Sequence, residues 1–399
     1  MAATAARRLE ALGYTDTAVV EGGTRSWAAA GFTLFKGVNV PSKTLGELAE
    51  ALWHPPTIAA GTLSAWRAAG RAFQLFDARP PAEHAKMRVP GSRCLPNGEL
   101  AYRFAAAVSD STVPIVIGCA GRTRGLIGTI GLRLAGVPNP VMAIENGTQG
   151  WALAGGTLER GATAAPYPVL GAAELAVSRE RALRLIRDWE IPRIDSAQLD
   201  ALRAERDRAL YVFDVRSAEE FRAIHVTGAV HAPGGQLVQA TDQWIGVRRA
   251  RVVLSDDTGL RAALAAFWLR QMGWDVYVLP DIGHGAAEVT IEREPKAFAE
   301  GLRTVSPQQA AAELASGTHL LLDVRPSQIH RALHPQGARW AIRPRLARAL
   351  DGEKAVIILA DDPGVAALAA KDLAELGCPA MALMRGGMRG WQDAGLPVA

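Results

Sequence analysis

The sequence predicts an α/β protein in which one domain, a mainly parallel sheet flanked by helices, is repeated in tandem. Three observations carry this. An apolar strand ending in Asp-x-Arg occurs three times, as Leu75-Phe76-Asp77-Ala78-Arg79, Val212-Phe213-Asp214-Val215-Arg216 and Leu321-Leu322-Asp323-Val324-Arg325. A second apolar strand follows each, at Val113-Pro114-Ile115-Val116-Ile117, Ala250-Arg251-Val252-Val253-Leu254 and Ala355-Val356-Ile357-Ile358-Leu359. A helix-period run then ends at Gly136, Gly273 or Gly377, where glycine is the expected residue past a helix end. Short strands alternating with helical segments indicate parallel pairing, and ligands in such sheets sit beyond the carboxyl ends of the strands.

Each Asp-x-Arg strand leads to a turn: Val89-Pro90-Gly91-Ser92, Val226-Thr227-Gly228-Ala229 and Pro335-Gln336-Gly337-Ala338. The first and last repeats close on a Gly-rich turn and a tryptophan, Asn146-Gly147-Thr148-Gln149-Gly150-Trp151 and Gly386-Gly387-Met388-Arg389-Gly390-Trp391. The middle repeat lacks the tryptophan and ends irregularly at Asp281-Ile282-Gly283-His284. These tryptophans are expected to anchor cores. The chain opens on a fragment of the same pattern, with a helix ending at Gly13 and a turn running from Glu21 to Trp27. Residues 1–35 are therefore expected to be the C-terminal part of a truncated domain, poorly anchored or docked on the next one. The remaining boundaries are read as 56–158 for a complete domain, 159–193 for a linker with a charged packing helix around Arg179-Glu180-Arg181, 194–290 for a second domain and 303–399 for a third. A shorter linker with a helical stretch covers 36–55.

The 399 residues are 49% hydrophobic and 21% charged, enough apolar content for several packed cores. No apolar run approaches the roughly 20 residues that span a bilayer, and the start reads as an amphipathic helix, so neither a membrane nor a secretory setting is expected and the cytoplasm is the default. Net charge is +4, with arginines dispersed and no basic block. This gives no footing to a nucleic-acid partner and is compatible with a small anionic substrate. Cys94, Cys119 and Cys378 form no CxxC pair, and the eight histidines show no ligand spacing, so no metal and no cofactor are expected.

One segment carries chemistry. Cys119-Ala120-Gly121-Arg122-Thr123-Arg124-Gly125 lies between the second strand and the helix of the first complete repeat. A cysteine there faces backbone N–H groups of the loop and the helix start. With the Arg122 and Arg124 guanidiniums, these are expected to favour the thiolate, which is the nucleophile. The other loops answer with acids. Asp256 stands where Cys119 does, since 119 − 77 = 42 and 256 − 214 = 42, and Arg261 stands for Arg124. In the last repeat Asp361 is expected in the cysteine's place and Ala366 in the arginine's. A carboxylate is no such nucleophile, so both copies read as degenerate.

The Asp-x-Arg strands, the Pro-Gly turn, the Cys119 loop and the Gly-rich ending together resemble the rhodanese superfamily, over nearly the whole chain, and most of all bacterial proteins with several tandem rhodanese-like domains. The resemblance implies a sulfurtransferase. Cys119 would take sulfane sulfur from a small anionic donor such as thiosulfate and pass it, as a persulfide, to cyanide or to a thiol, small or on a protein. Ala120, Gly121, Arg122, Thr123, Arg124 and Gly125 would bind sulfur and anion. Lys86 and Arg88 stand where the family often has a basic or His-containing segment and would attract the donor, although the usual Gly-His is absent; a solvated pair is the other reading. Asp77 and Arg79 would support the pocket as an ion pair, and Cys94 would be a packed thiol or a resolving one. A repeat scaffold with a vestigial Cys119 is the alternative. Phosphatases of this fold need five residues between cysteine and arginine, and 124 − 119 = 5 leaves four.

Overall fold

The computed structural model describes residues 2–11, 13–32, 34, 39–205, 207–280, 282, 302–350, 352, 355–378 and 380–399. Most of the middle repeat's irregular ending, including Gly283 and His284, lies outside them. The chain divides into two compact units, Leu34–Val289 and Met1–Thr33 with Thr290–Ala399.

The second of these begins with α1 (Ala2–Ala11) and α2 (Gly23–Ala29). No residue of α2 is buried. These two helices group with the last domain and not with the next one in sequence, and Arg8 of α1 pairs with Asp372 and Glu375.

In the larger unit, α3 (Val40–Trp53) precedes β1 (Thr57–Ile58), α4 (Ala60–Ala68), β2 (Gln74–Asp77), α5 (Pro81–Lys86), β3 (Arg93–Cys94), α6 (Asn97–Ala107), β4 (Ile115–Gly118), α7 (Thr123–Leu134), β5 (Val141–Ile144) and α8 (Gly147–Leu153). The sheet order is β1-β5-β4-β2-β3 with every pair parallel. All four residues of β4 are buried, as expected of a central strand covered on both faces. Trp151 of α8 is buried and donates its indole N–H to Thr157 O, so it anchors the core.

A long helix, α9 (Ala172–Asp188), follows, buried along Ser178, Ala182, Leu185 and Ile186 with Arg179 and Glu180 exposed. Then come α10 (Ser196–Ala204), β6 (Leu210–Asp214), α11 (Ala218–Ala223), β7 (Val230–His231), α12 (Gly234–Gln239), α13 (Thr241–Trp244), β8 (Arg251–Ser255), α14 (Leu260–Gln271) and β9 (Asp275–Leu279). The order is β7-β6-β8-β9, again parallel, and Arg193 bridges Val278 where β1 stands in the first sheet. The two domains share a core. Leu45 and Ala49 of α3 and Ile127 and Ile130 of α7 pack with Leu237, Val238 and Trp268. At the seam α6 meets α12 so closely that a Cβ added to Gly98 would lie 2.7 Å from Gly235 N, and one on Gly235 2.8 Å from Gly98 N.

The last domain has β10 (Arg303–Val305), α15 (Pro307–Ala315), β11 (His319–Asp323), α16 (Ser327–Ala332), β12 (Arg339–Trp340), α17 (Leu346–Ala349), β13 (Ala355–Leu359), α18 (Pro363–Glu375), β14 (Met381–Met384) and α19 (Gly387–Asp393). Its sheet, β10-β14-β13-β11-β12, repeats the first. Trp391 is buried and bonds to Pro397 O as Trp151 does to Thr157 O.

Candidate active site

Cys119 follows the carboxyl end of β4, beside Asp77 of β2, whose register partner is Gly118. The loop is held from below by α8. Thr148 N–H donates to Cys119 O at 2.8 Å and Gln149 N–H to Ala120 O at 3.1 Å. This contact needs a glycine at 147: φ is +55°, and a Cβ there would lie 2.2 Å from Cys119 O and 2.6 Å from Gly121 O. The Cys119 side chain is buried, and the N–H groups of Gly125 and Gly121 bond toward its sulfur. Burial pushes the thiol's pKa up, against the pull of those two N–H groups and of the Arg124 charge. The expected preference for the thiolate is thus countered by desolvation, which the sequence did not reveal.

The two guanidiniums play different parts. Arg124 makes a bidentate pair with Glu83 of α5, both bonds 2.7 Å, and this holds Glu83 below the usual carboxylate range. Arg122 is exposed and turns to α3, pairing with Glu47 and, at 2.9 Å, with Glu50. Thr123 packs on Gly46 of α3, and Gly125 is buried.

Asp77 and Arg79 form a buried bidentate pair, with bonds of 2.9 and 2.6 Å. His84 Nδ1 lies 3.0 Å from the same carboxylate. Burial alone would lift Asp77, but Arg79 and His84 outweigh it and hold it below its ordinary value. The pair recurs as Asp214–Arg216 and Asp323–Arg325, the latter with His330 at 2.8 Å, so it belongs to the repeat's architecture. Lys86 is exposed at the end of α5. Arg88 is committed to Glu159 at 2.8 Å, with Nη1 3.4 Å from His84 Nε2. Neither makes a hydrogen bond or ion pair with the Cys119 loop among the described residues. Cys94 is Asp77's partner on the other side of β2, and burial, then the Asp77 charge, push its thiol up to about 12.

In the second domain Asp256 is fully buried and accepts bonds from Arg261 N and Arg261 Nε, each 2.9 Å. Arg261 also pairs with Asp257, Glu220 and, across the seam, Glu99. The position of the nucleophile is filled by a carboxylate locked to the loop's own arginine.

The last domain requires a correction. Asp323 is the register partner of Leu359, as Asp77 is of Gly118 and Asp214 of Ser255. The residue after Leu359, Ala360, therefore takes the cysteine's place, and Asp361 does not. Counting back from the helix-ending glycines agrees: 136 − 124 = 12 and 377 − 12 = 365, so Val365 and not Ala366 answers Arg124. The connection between Asp323 and the loop is shorter here, which removed the spacing that fixed the other alignment. Asp361 accepts from Met388 N–H at 3.0 Å. Glu83, Glu220 and His84 escaped sequence reasoning, although the offset 83 − 77 = 220 − 214 = 6, repeated in the two copies that keep the loop arginine, was a signal.

The rhodanese-like domain family matches residues 60–154, 196–281 and 306–394. A thiosulfate sulfurtransferase from Pseudomonas aeruginosa is 38% identical, with a TM-score of 0.87, over 100% of this chain and 76% of that one. A polysulfide-sulfur transferase homodimer from Wolinella succinogenes is 29% identical over 28% of this chain and 87% of that one, with a TM-score of 0.25. Among curated proteins no match is found. Three parallel-sheet repeats with a strand-end loop at each define a tandem α/β protein of the rhodanese fold. The chain belongs to the rhodanese family.

Proposed function

We propose that in this rhodanese-type sulfurtransferase Cys119 carries sulfane sulfur as a persulfide, from a donor such as thiosulfate to a thiol or cyanide. The observation that carries the reading is that, of three equivalent loop positions, one holds a sulfur nucleophile, Cys119, while Asp256 and Ala360 occupy the others. The Cys119 sulfur attacks the outer sulfur of the donor. A new S–S bond forms, the donor's S–S bond breaks, and sulfite leaves with the electron pair. Gly121 and Gly125, whose N–H groups bond toward the thiol sulfur, would hold the negative sulfur of the persulfide. An acceptor thiolate then attacks the outer sulfur and regenerates the Cys119 thiolate. Ala120, Thr123 and Arg124 shape the cradle, Asp77 and Arg79 hold the strand end beside it, and Lys86 and Arg88, which make no bond to the loop among the described residues, would attract the donor only at a distance. The Pseudomonas relative is a thiosulfate sulfurtransferase, which supports thiosulfate as one donor among those the site accepts. Three free cysteines fit a reducing compartment such as the cytoplasm.

The test is intact-mass spectrometry after brief exposure to thiosulfate, with peptide mapping without reductant. One sulfur per chain, on Cys119, is expected, and Cys119→Ser is expected to abolish transfer. Near-parental transfer by folded Cys119→Ser protein, or equal early loading of Cys378, refutes the assignment.

A further inference from the structure

We propose that Glu47 and Glu50 of α3 set donor specificity, screening the loop's outward guanidinium so that the site discriminates against dianionic sulfur donors. This rests on the sulfur-transfer reading above and names the donor class that the site favours, a sulfane-sulfur donor of low charge.

Arg122 is the loop side chain that turns to solvent, and both of its terminal nitrogens are taken by carboxylates of α3. Arg124 is taken by Glu83. Two cations are thus faced by three carboxylates, 2 − 3 = −1, so the loop that the sequence presents as basic has no net positive charge once its ion-pair partners are counted. Asp77 and Arg79 beside it cancel. A dianion approaching the sulfur therefore meets no uncommitted guanidinium on the loop, and to gain one it must displace a carboxylate.

The ion pairs are exposed, but the helix that carries the two carboxylates is held in place. A Cβ on Gly46 would lie 2.6 Å from Thr123 Cγ2, so α3 rests directly on the start of α7. Ser42 Oγ donates to Gln239 O at 2.6 Å, and Leu45 and Ala49 are buried in the core shared with the second domain. The degenerate domain thereby fixes the helix that carries Glu47 and Glu50. In that domain the residue matching Arg122 is Gly259, since 122 + 137 = 259 and 119 + 137 = 256. There the loop has no guanidinium to screen.

The experiment uses the full chain and its Glu47→Gln/Glu50→Gln variant, which keeps shape and removes charge at an exposed and a half-buried position. Second-order rate constants for loading Cys119 are measured with thiosulfate and with the persulfide of 2-mercaptoethanol, which carries at most one negative charge. In both reactions the Cys119 sulfur gains the outer sulfur, and sulfite or the mercaptoethanol thiolate departs. The variant is expected to load from thiosulfate roughly 5-fold faster at low ionic strength, with the gain fading near 0.5 M salt as charges are screened. Loading from the singly charged donor is expected to change less than about 2-fold, and adding Arg122→Gln to the variant is expected to cancel the gain. An unchanged thiosulfate rate, an equal gain with both donors, or a gain indifferent to salt overturns the proposal while the sulfur-transfer reading stands. Failure of both donors to load the parent protein refutes that reading instead.

Discussion

Replacing Gly147 with alanine tests the seat of the Cys119 loop. Two costs follow from the geometry. The residue has φ +55°, where an L side chain costs about 1–2 kcal/mol. The new Cβ also falls 2.2 Å from Cys119 O and 2.6 Å from Gly121 O, both backbone atoms that cannot rotate away. Relief requires the loop to lift off α8, which loosens the bonds from Thr148 N–H and Gln149 N–H at about 0.5–1.5 kcal/mol each. The total is roughly 2–5 kcal/mol, concentrated at the nucleophile. Gly131 of α7 is the control, because a Cβ there meets nothing within 4 Å and alanine in mid-helix gains about 0.5–1 kcal/mol. Denaturant midpoints and the rate of sulfur loading from thiosulfate are measured for both variants. Gly147→Ala is expected to lose stability and at least about 10-fold in loading, and Gly131→Ala to keep both. Parental stability and loading in Gly147→Ala would refute the close seating of the loop on α8.

Asp77→Ala leaves the buried Arg79 without its carboxylate and is expected to cost about 3–5 kcal/mol, read from denaturant midpoints. Asp323→Ala is expected to destabilise the other unit by a similar amount yet leave sulfur loading intact; a matching loss of loading would count against the separation of roles. Burial pushes Asp256 up to about 7. Asp257, despite burial, is held down to about 2 by its bond with Asp256 and by Arg261. Between its ordinary 3.8 and about 7 the folded state retains a proton on Asp256 that the unfolded chain has released, so this group's stabilisation fades as pH rises, by at most about 1.4 kcal/mol per pH unit. Asp257 acts oppositely, losing stabilisation as pH falls from 3.8 toward 2. Asp256→Asn should flatten the slope between pH 4 and 7 in chemical denaturation series, and an unaltered slope would dismiss the buried proton.

The sequence disclosed what the repeat imposes. The Asp-x-Arg strands, the parallel order and the single loop cysteine could all be read because each recurs in the other repeats, the loop position at a matching offset in one of them. What escaped depends on contacts between distant segments or on depth. Arg122 lies 75 residues from Glu47, and nothing in the basic loop hinted that a helix assigned to a linker would cover it. The desolvation of Cys119 depends on how closely α7 and α8 shut around it, which composition does not encode. The misplaced Asp361 had a different cause. Spacing is a sound guide only while the intervening segment keeps its length, whereas strand register survives the deletion.

The glycines at the domain seam have a geometric consequence. Gly98 and Gly235 are one position of two repeats, since 98 − 77 = 21 and 235 − 214 = 21, and each is the other's neighbour. A position that meets its own counterpart lies near a twofold axis. The flanking helices obey the same rule, α3 meeting α12 of the other half and α9 meeting α6. The larger unit is thus a covalent pseudo-dimer, each half presenting a surface complementary to itself. Such an axis would deliver the same group to both loop arginines, but the symmetry is broken at one residue. Glu99 reaches Arg261, while its mate on the other side is Gln236, which has no charge to bring to Arg124. One half of the pseudo-dimer is thereby locked by its twin, and the other, the half with the cysteine, keeps its arginine with one carboxylate partner among the described residues, Glu83.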